Sequence, residues 1–270
     1  MLVDFTKMNG AGNDFVLIDN RDRSIQLKEE QVQRICNRQR GVGADGLLLL
    51  VPCDTGKADW AWEFYNSDGT TAAMCGNGAR CFARFIERVV GKNGDVSFET
   101  GAGVIRGRFD GDIVTVDLTE PHGLQLDETL HAAAGDLPVH SLDTGVPHAV
   151  VFVPDADQAM VRELGREIRY HDHFAPNGTN VNFAQELEPG RIRVRTYERG
   201  VEGETLACGT GVTAAAIITS ELKGFPPPIT VQVQGGDTLE VLFDKDVDGN
   251  FTNVKLKGPA DVSFHGQIEI

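Results

Sequence analysis

The chain is short of positive charge: 25 Lys and Arg stand against 40 Asp and Glu, for a formal net charge of −15 at pH 7. Nucleic acids and anionic membrane surfaces are gripped by clustered Lys and Arg, so both are excluded as partners and a small molecule is expected instead. Long apolar runs are missing too, since no stretch approaches the roughly 18 apolar residues of a membrane span. The opening MLVDFTKMNG has no basic stretch followed by an apolar core. A cytoplasmic location is expected. Cysteine is scarce and odd in number, with Cys36, Cys53, Cys75, Cys81 and Cys208 spread over 270 residues. That is no disulfide scaffold. The thiols are expected to be reduced, and Asn177-Gly178-Thr179 to be a turn rather than a glycosylation site.

Glycine, by contrast, is abundant: 31 residues against a usual share of about 7%, which predicts many short elements joined by tight turns. Two of these turns are alike. MCGNGARC spans residues 74–81, and ACGTG returns at 207–211. After the first, Phe82, Phe85, Ile86, Val89 and Val90 follow helical spacing up to Gly91. After the second, GVTAAAIITSEL is apolar or small on every side and stops at Gly224, as a wholly buried helix would. Each helix precedes three alternating segments, VSFET, VIRGRF and IVTVDL in one case and ITVQVQ, TLEVLF and NFTNVKL in the other. Upstream, GNDFVLID resembles GVPHAVVFV, and Asn13 precedes Cys75 by the same 62 residues (13 to 75, 146 to 208) as Val146 precedes Cys208.

This repeat predicts an α+β protein of two homologous domains, each a mostly antiparallel curved sheet or barrel around a central helix. Strand patterning gives way near Glu120-Pro121, which places the domains at 1–119 and 120–262, with a C-terminal strand at 263–270 returning to the first.

Two motifs point elsewhere and fail on context. GVGADG at 41–46 matches a dinucleotide fingerprint by letter, but a helical stretch precedes it and a strand follows, the reverse of what that site requires. DKDVDG at 244–249 opens like a calcium loop, yet Lys255 stands where a bidentate Glu is needed. It reads as a hairpin turn. Cys75 and Cys81 do not have structural-zinc spacing, and no metal is expected.

A C-G-x-G turn at a helix start offers unpaired backbone N–H groups, the positive end of the helix dipole and close access to the backbone. It is a cradle for a carboxylate. The same field favours thiolate over thiol. A helix terminus contributes about 0.3–2 kcal/mol, roughly tenfold in that equilibrium, so each cysteine still needs a base nearby. With the two turns facing one substrate, a thiol would stand on either side of its α-carbon. One would remove the proton and the other would return one to the opposite face. Cys36, Cys53 and Cys81 read as small apolar fillers.

MCGNGARC with ACGTG, together with YNSDGT, YERG and MNGAGNDFV, resembles the diaminopimelate epimerase family over essentially the whole chain. The resemblance implies interconversion of LL- and meso-2,6-diaminopimelate for lysine and peptidoglycan synthesis, no cofactor, and a homodimer. It implies that Cys75 and Cys208 are the acid/base pair. Gly76, Asn77, Gly209 and Thr210 would hold the reacting carboxylate, while Asn13, Asn66, Asn180 and Arg199 would bind substrate, mostly at its distal end. Glu198 and His148 would assist the thiols and contact the ammonium. The chain departs from the family pattern at Val146, where many members have a substrate-binding Asn, and at Gly46, where some have Gln. Glu198 also lies one residue further from its cysteine than in some relatives.

Three alternatives stand beside this reading. A proline racemase-type enzyme uses two thiols, but its substrate has no second amino-carboxylate to engage Arg199, Asn66 and Asn180. A phenazine-biosynthesis type of isomerase would not retain the cysteine pair. A ligand-binding or redox-switch protein would not exchange a substrate α-hydrogen with solvent.

Overall fold

The computed structural model describes residues 1–91, 94–133 and 135–270. The chain divides into two compact units, Met1–Asp117 with Gly258–Ile270, and Leu118–Lys257.

In the first unit the strands are β1 (Leu2–Gly10), β2 (Asn13–Asp19), β3 (Gly46–Pro52), β4 (Trp60–Asn66), β5 (Val96–Thr100), β6 (Gly103–Asp110) and β7 (Ile113–Asp117). Helix α1 (Glu29–Cys36) links β2 to β3, and α2 (Gly76–Val90) links β4 to β5. Those two strand pairs are parallel, and parallel neighbours need such a crossover. The other pairings described within this unit are antiparallel, including that of the C-terminal strand Asp261–Glu269 with β1. The sheet is therefore mixed.

It curves around α2, which lies against β1, β2, β3, β5, β6 and β7. On the outer face α1 places Val32 and Ile35 against Val16, Ile18, Leu47 and Leu49. Covered on both faces, β2 and β3 read as continuous apolar runs instead of alternating ones. Phe82 of α2 is fully buried between Trp62 and Phe98, with ring centroids 5.6 and 4.9 Å away. Truncating such a ring costs about 3–5 kcal/mol.

The second unit contains β8 (His122–Ala132), β9 (Gly135–Asp143), β10 (Pro147–Phe152), α3 (Val161–Arg169), β11 (Asn180–Glu188), β12 (Arg191–Glu198), β13 (Gly203–Thr205), α4 (Gly209–Lys223), β14 (Ile229–Val233), β15 (Thr238–Lys245) and β16 (Phe251–Pro259). Its pairings repeat those of the first unit in order. Strands β8, β9 and β10 are antiparallel, β10 and β11 parallel, β11 and β12 antiparallel, β12 and β14 parallel, and β14 to β16 antiparallel. β8 thus holds the place that the C-terminal strand fills in the first unit. The short β13 corresponds to a single bridge between Tyr65 and Thr71.

Patterning alone does not reveal β8. Its alternation of Leu124, Leu126 and Leu130 is interrupted by Glu128, only Leu130 is buried along it, and its pairing with β9 shifts register twice. The expected loss of strand structure after Pro121 is therefore corrected to a hairpin. DKDVDG is a turn between β15 and β16, where the Asp246 side chain accepts from the Asp248 and Asn250 N–H groups. Helix α4 is buried from Gly211 through Ser220. Helix α2 is buried from Gly76 to Ile86, Arg80 and Arg84 included, and is one-sided only in its last turn.

Candidate active site

Helices α2 and α4 are each 15 residues long, and each has a cysteine as its N-cap and a left-handed glycine, Gly91 or Gly224, as its C-cap. The repeated turn in the sequence is thus a repeated helix start.

In the first unit Cys75 Sγ accepts from the Gly78 N–H at 3.5 Å, so the sulfur caps its own helix in place of the usual oxygen. The thiol donates to Asn13 Oδ1 at 3.5 Å, and Asn77 Nδ2 reaches the same oxygen at 3.5 Å. Asn13 in turn donates through Nδ2 to Asp45 Oδ2 at 2.6 Å, which orients its amide with oxygen toward the sulfur. Behind Asp45 is an ion network. Arg38 bridges Asp14 and Asp45 at 2.9 and 2.8 Å, and buried Lys7 pairs with Asp14 at 2.7 Å. Lys7 also donates to the Gly43 carbonyl, so the GVGADG loop is anchored from β1.

Burial would raise the Asp14 carboxyl, but hydrogen bonds from Arg38 and Lys7 outweigh it and hold it at about 2. Asp45 moves the other way, raised by burial above all.

The first turn of α2 is clamped from beneath. Arg80 is fully buried and spends its guanidinium on Gly76 O (3.4 Å), Asn77 Oδ1 (3.1 Å) and Pro259 O (3.2 Å). From β1, Gly10 lets the turn approach: a Cβ there would lie 2.9 Å from Asn77 O and 3.0 Å from Cys81 Sγ. Asn66 is engaged separately, donating to Thr70 Oγ1 at 3.0 Å in the turn after β4. Opposite it on β3, a Cβ at Gly46 would fall 2.9 Å from both Phe64 and the Tyr65 carbonyl, so a larger residue has no room.

In the second unit Cys208 is buried, with Sγ 3.5 Å from Thr210 Oγ1. Thr144 donates to the Thr210 carbonyl at 3.0 Å and ties this helix start to the β9–β10 turn. His148 is buried at the start of β10, where Asn182 Nδ2 approaches its Nδ1 at 3.2 Å. Desolvation, with a smaller effect from the Arg199 charge, depresses His148 from 6.5 to about 3. At neutral pH it is therefore an uncharged ring.

Asn180 pairs with His148 in the parallel register and joins two loops, accepting from the Arg199 N–H at 2.9 Å and donating to Pro147 O at 3.0 Å. The Arg199 guanidinium donates to Asn177 O at 3.2 Å, and Glu198 ends β12 beside it. Val146, half-buried before β10, brings an aliphatic side chain and no side-chain donor.

The remaining cysteines are placed differently from one another. Burial pushes Cys36 and Cys81 up to about 12, which makes both unreactive fillers. Cys53 is corrected: it is partly exposed after β3, and its thiol donates to Glu99 at 3.3 Å.

Each unit therefore presents a cysteine sulfur at a helix N-terminus. Comparison with known proteins decides the family: a diaminopimelate epimerase family model matches residues 5–122 and 140–259. The chain belongs to the diaminopimelate epimerase family. It is 45% identical to a diaminopimelate epimerase of Aquifex aeolicus over 98% of both chains, and 41% identical to one of Hydrogenobaculum over 97% of both. The fold is shared by proteins of much lower sequence identity. A hydroxyproline epimerase from Agrobacterium vitis superimposes with a TM-score of 0.75 at 17% identity, covering 99% of this chain and 92% of that one. A PhzF-family protein of Bacillus anthracis gives 0.73 at 15% identity, with complete coverage of both.

Residues not anticipated from sequence are Asp45, Arg80, Thr144, Asn182 and Thr196, whose hydroxyl donates to Asn182 Oδ1 at 2.9 Å. A signal existed for Asn182: two residues after Asn180 on a strand, it shares that residue's face.

Proposed function

We propose that this chain epimerises LL-2,6-diaminopimelate to meso-diaminopimelate by two-base proton transfer, with Cys75 and Cys208 as the bases, in lysine and peptidoglycan precursor synthesis. The carrying observation is that both sulfurs occupy the N-cap of equivalent helices in a repeated unit. Inverting a stereocentre this way requires a base on each face of one carbon, and the duplication supplies two equivalent thiols.

In the proposed cycle one cysteine enters as thiolate and takes the α-proton. The electron pair left on the α-carbon spreads into the adjoining carboxylate. The backbone N–H groups around Gly76–Asn77 and Gly209–Thr210 meet that charge, since a helix N-terminus favours an anion. The other cysteine, entering as thiol, delivers its proton to the opposite face and leaves as thiolate. Substrate and enzyme conserve their protons overall, and the reverse reaction exchanges the two roles. No cofactor takes part in the proposed chemistry.

Asn13, Asn66, Asn180, Glu198 and Arg199 belong to substrate recognition in this proposal. A guanidinium pairs bidentately with a carboxylate, which suits Arg199 to the distal amino-carboxylate end. A cytoplasmic homodimer acting on this one small molecule completes the proposal. Among the described residues no helix is long and apolar enough to cross a membrane.

The test is turnover of LL-diaminopimelate by the purified chain beside L-proline and L-glutamate. Epimerisation of diaminopimelate alone supports the proposal; racemisation of proline in its place would favour the proline racemase type.

A further inference from the structure

The buried side of the second helix start holds a polar chain that substrate recognition does not use. Asn182 is fully buried on β11. Its Nδ2 donates to Ala149 O at 3.0 Å and reaches His148 Nδ1 at 3.2 Å, while its Oδ1 accepts from Thr196 Oγ1 at 2.9 Å.

The amide cannot be turned around, because its oxygen would then face the Ala149 carbonyl. An amide nitrogen donates and does not accept, so His148 Nδ1 must be the acceptor. In a neutral imidazole the proton is then on Nε2. That atom is buried and has no hydrogen-bond partner among the described residues. The ring carbon Cε1, bonded to both nitrogens, lies 3.3 Å from where a Cβ on Gly211 would be, which puts the ring against the first turn of α4. An unmatched buried donor costs about 1–3 kcal/mol, and this one belongs to a ring packed against the helix start of the proposed site.

We propose that Asn182, held by Thr196, is a positioning residue that fixes His148 as its Nε2–H tautomer, so that His148 serves the α4 helix start as a hydrogen-bond donor and not as a base. The donor role rests on the epimerase reading above; the tautomer does not. Arg199 is the charged group acting on the ring.

The test is nitrogen NMR of the full chain labelled at the histidine ring nitrogens. In the parent, His148 is expected to show a protonated Nε2 and a bare Nδ1, unchanged between about pH 5 and pH 9. A bare Nε2, or titration near the ordinary histidine value, overturns the proposal with no variant required. Asn182→Asp replaces the donor with an acceptor, so the ring proton moves to Nδ1 and titration returns. Asn182→Leu leaves a tautomer mixture. In both, kcat on diaminopimelate is expected to fall about 10- to 100-fold with KM little changed. Unmoved His148 nitrogen signals in both folded variants would reduce Asn182 to packing and overturn the proposal. The expected tautomer in a parent protein that does not turn over diaminopimelate would leave the Asn182 assignment standing and sink the epimerase reading instead.

Discussion

Cys75 Sγ and Asn13 Oδ1 lie 3.5 Å apart, and Asp45 keeps that oxygen turned toward the sulfur by holding the other end of the amide at 2.6 Å. The contact from Asn13 exists only while Cys75 is a thiol, since an amide oxygen has nothing to donate to a thiolate. Asp45→Ala frees the amide to rotate and removes a negative charge, and both changes favour thiolate. In a Cys208→Ala background, alkylation of Cys75 is expected to shift to lower pH. With both cysteines present, kcat/KM should fall about tenfold, the worth of one hydrogen bond to a charged group. An unchanged alkylation profile would detach Asp45 from the site.

Gly10 is required by the closeness of β1 to the α2 helix start. Gly10→Ala places a methyl 2.9 Å from Asn77 O and 3.0 Å from Cys81 Sγ. Overpacking of this kind costs about 1–3 kcal/mol, read as a lowered urea midpoint. Because the displaced backbone is the proposed carboxylate cradle, kcat should fall as well.

Arg199→Met is expected to raise KM for diaminopimelate at least about tenfold with a smaller change in kcat, since the proposed contact is with the distal carboxylate in ground and transition state alike. Unchanged steady-state kinetics would remove Arg199 from recognition.

Two groups set the response to acid in different windows. His148 is depressed to about 3 from 6.5, so the unfolded chain takes the proton first. The stability gained from a neutral buried ring is complete above pH 6.5 and is lost as pH falls toward 3. Asp14 is depressed to about 2 from 3.8. Its contribution is complete above pH 3.8 and lost as pH falls toward 2. Urea unfolding of Asp14→Asn should therefore show its full deficit against the parent at pH 7, keep it at pH 5, and narrow it below pH 3.8. A deficit that shrinks already between pH 7 and pH 5 would contradict the Asp14 assignment.

The features legible in the sequence are those carried by local signals. Gly91 and Gly224 stop their helices in the left-handed conformation, and Asp110-Gly111 and DKDVDG turn hairpins. The paired cysteine turns, and with them the family, follow from residues close together in the chain. What escaped is made of residues distant in sequence. Asp45 meets Asn13 across 32 residues and Asn182 meets His148 across 34, so no spacing rule joins them. The burial of His148 is likewise a tertiary property that no local signal announces. Strand β8 escaped for the opposite reason: it is mostly exposed, and its place is set by pairing with β9.

Incubating LL- and meso-diaminopimelate separately in heavy water, with the parent, Cys75→Ala and Cys208→Ala, tests the two-thiol claim most directly. The parent is expected to invert either isomer and to install deuterium at the inverted carbon. Each single-cysteine variant should lose inversion by about 10²-fold or more, and any α-deuteration that survives should occur without inversion, in opposite isomers for the two variants. Inversion with α-deuteration at the parent rate in either variant would contradict the claim.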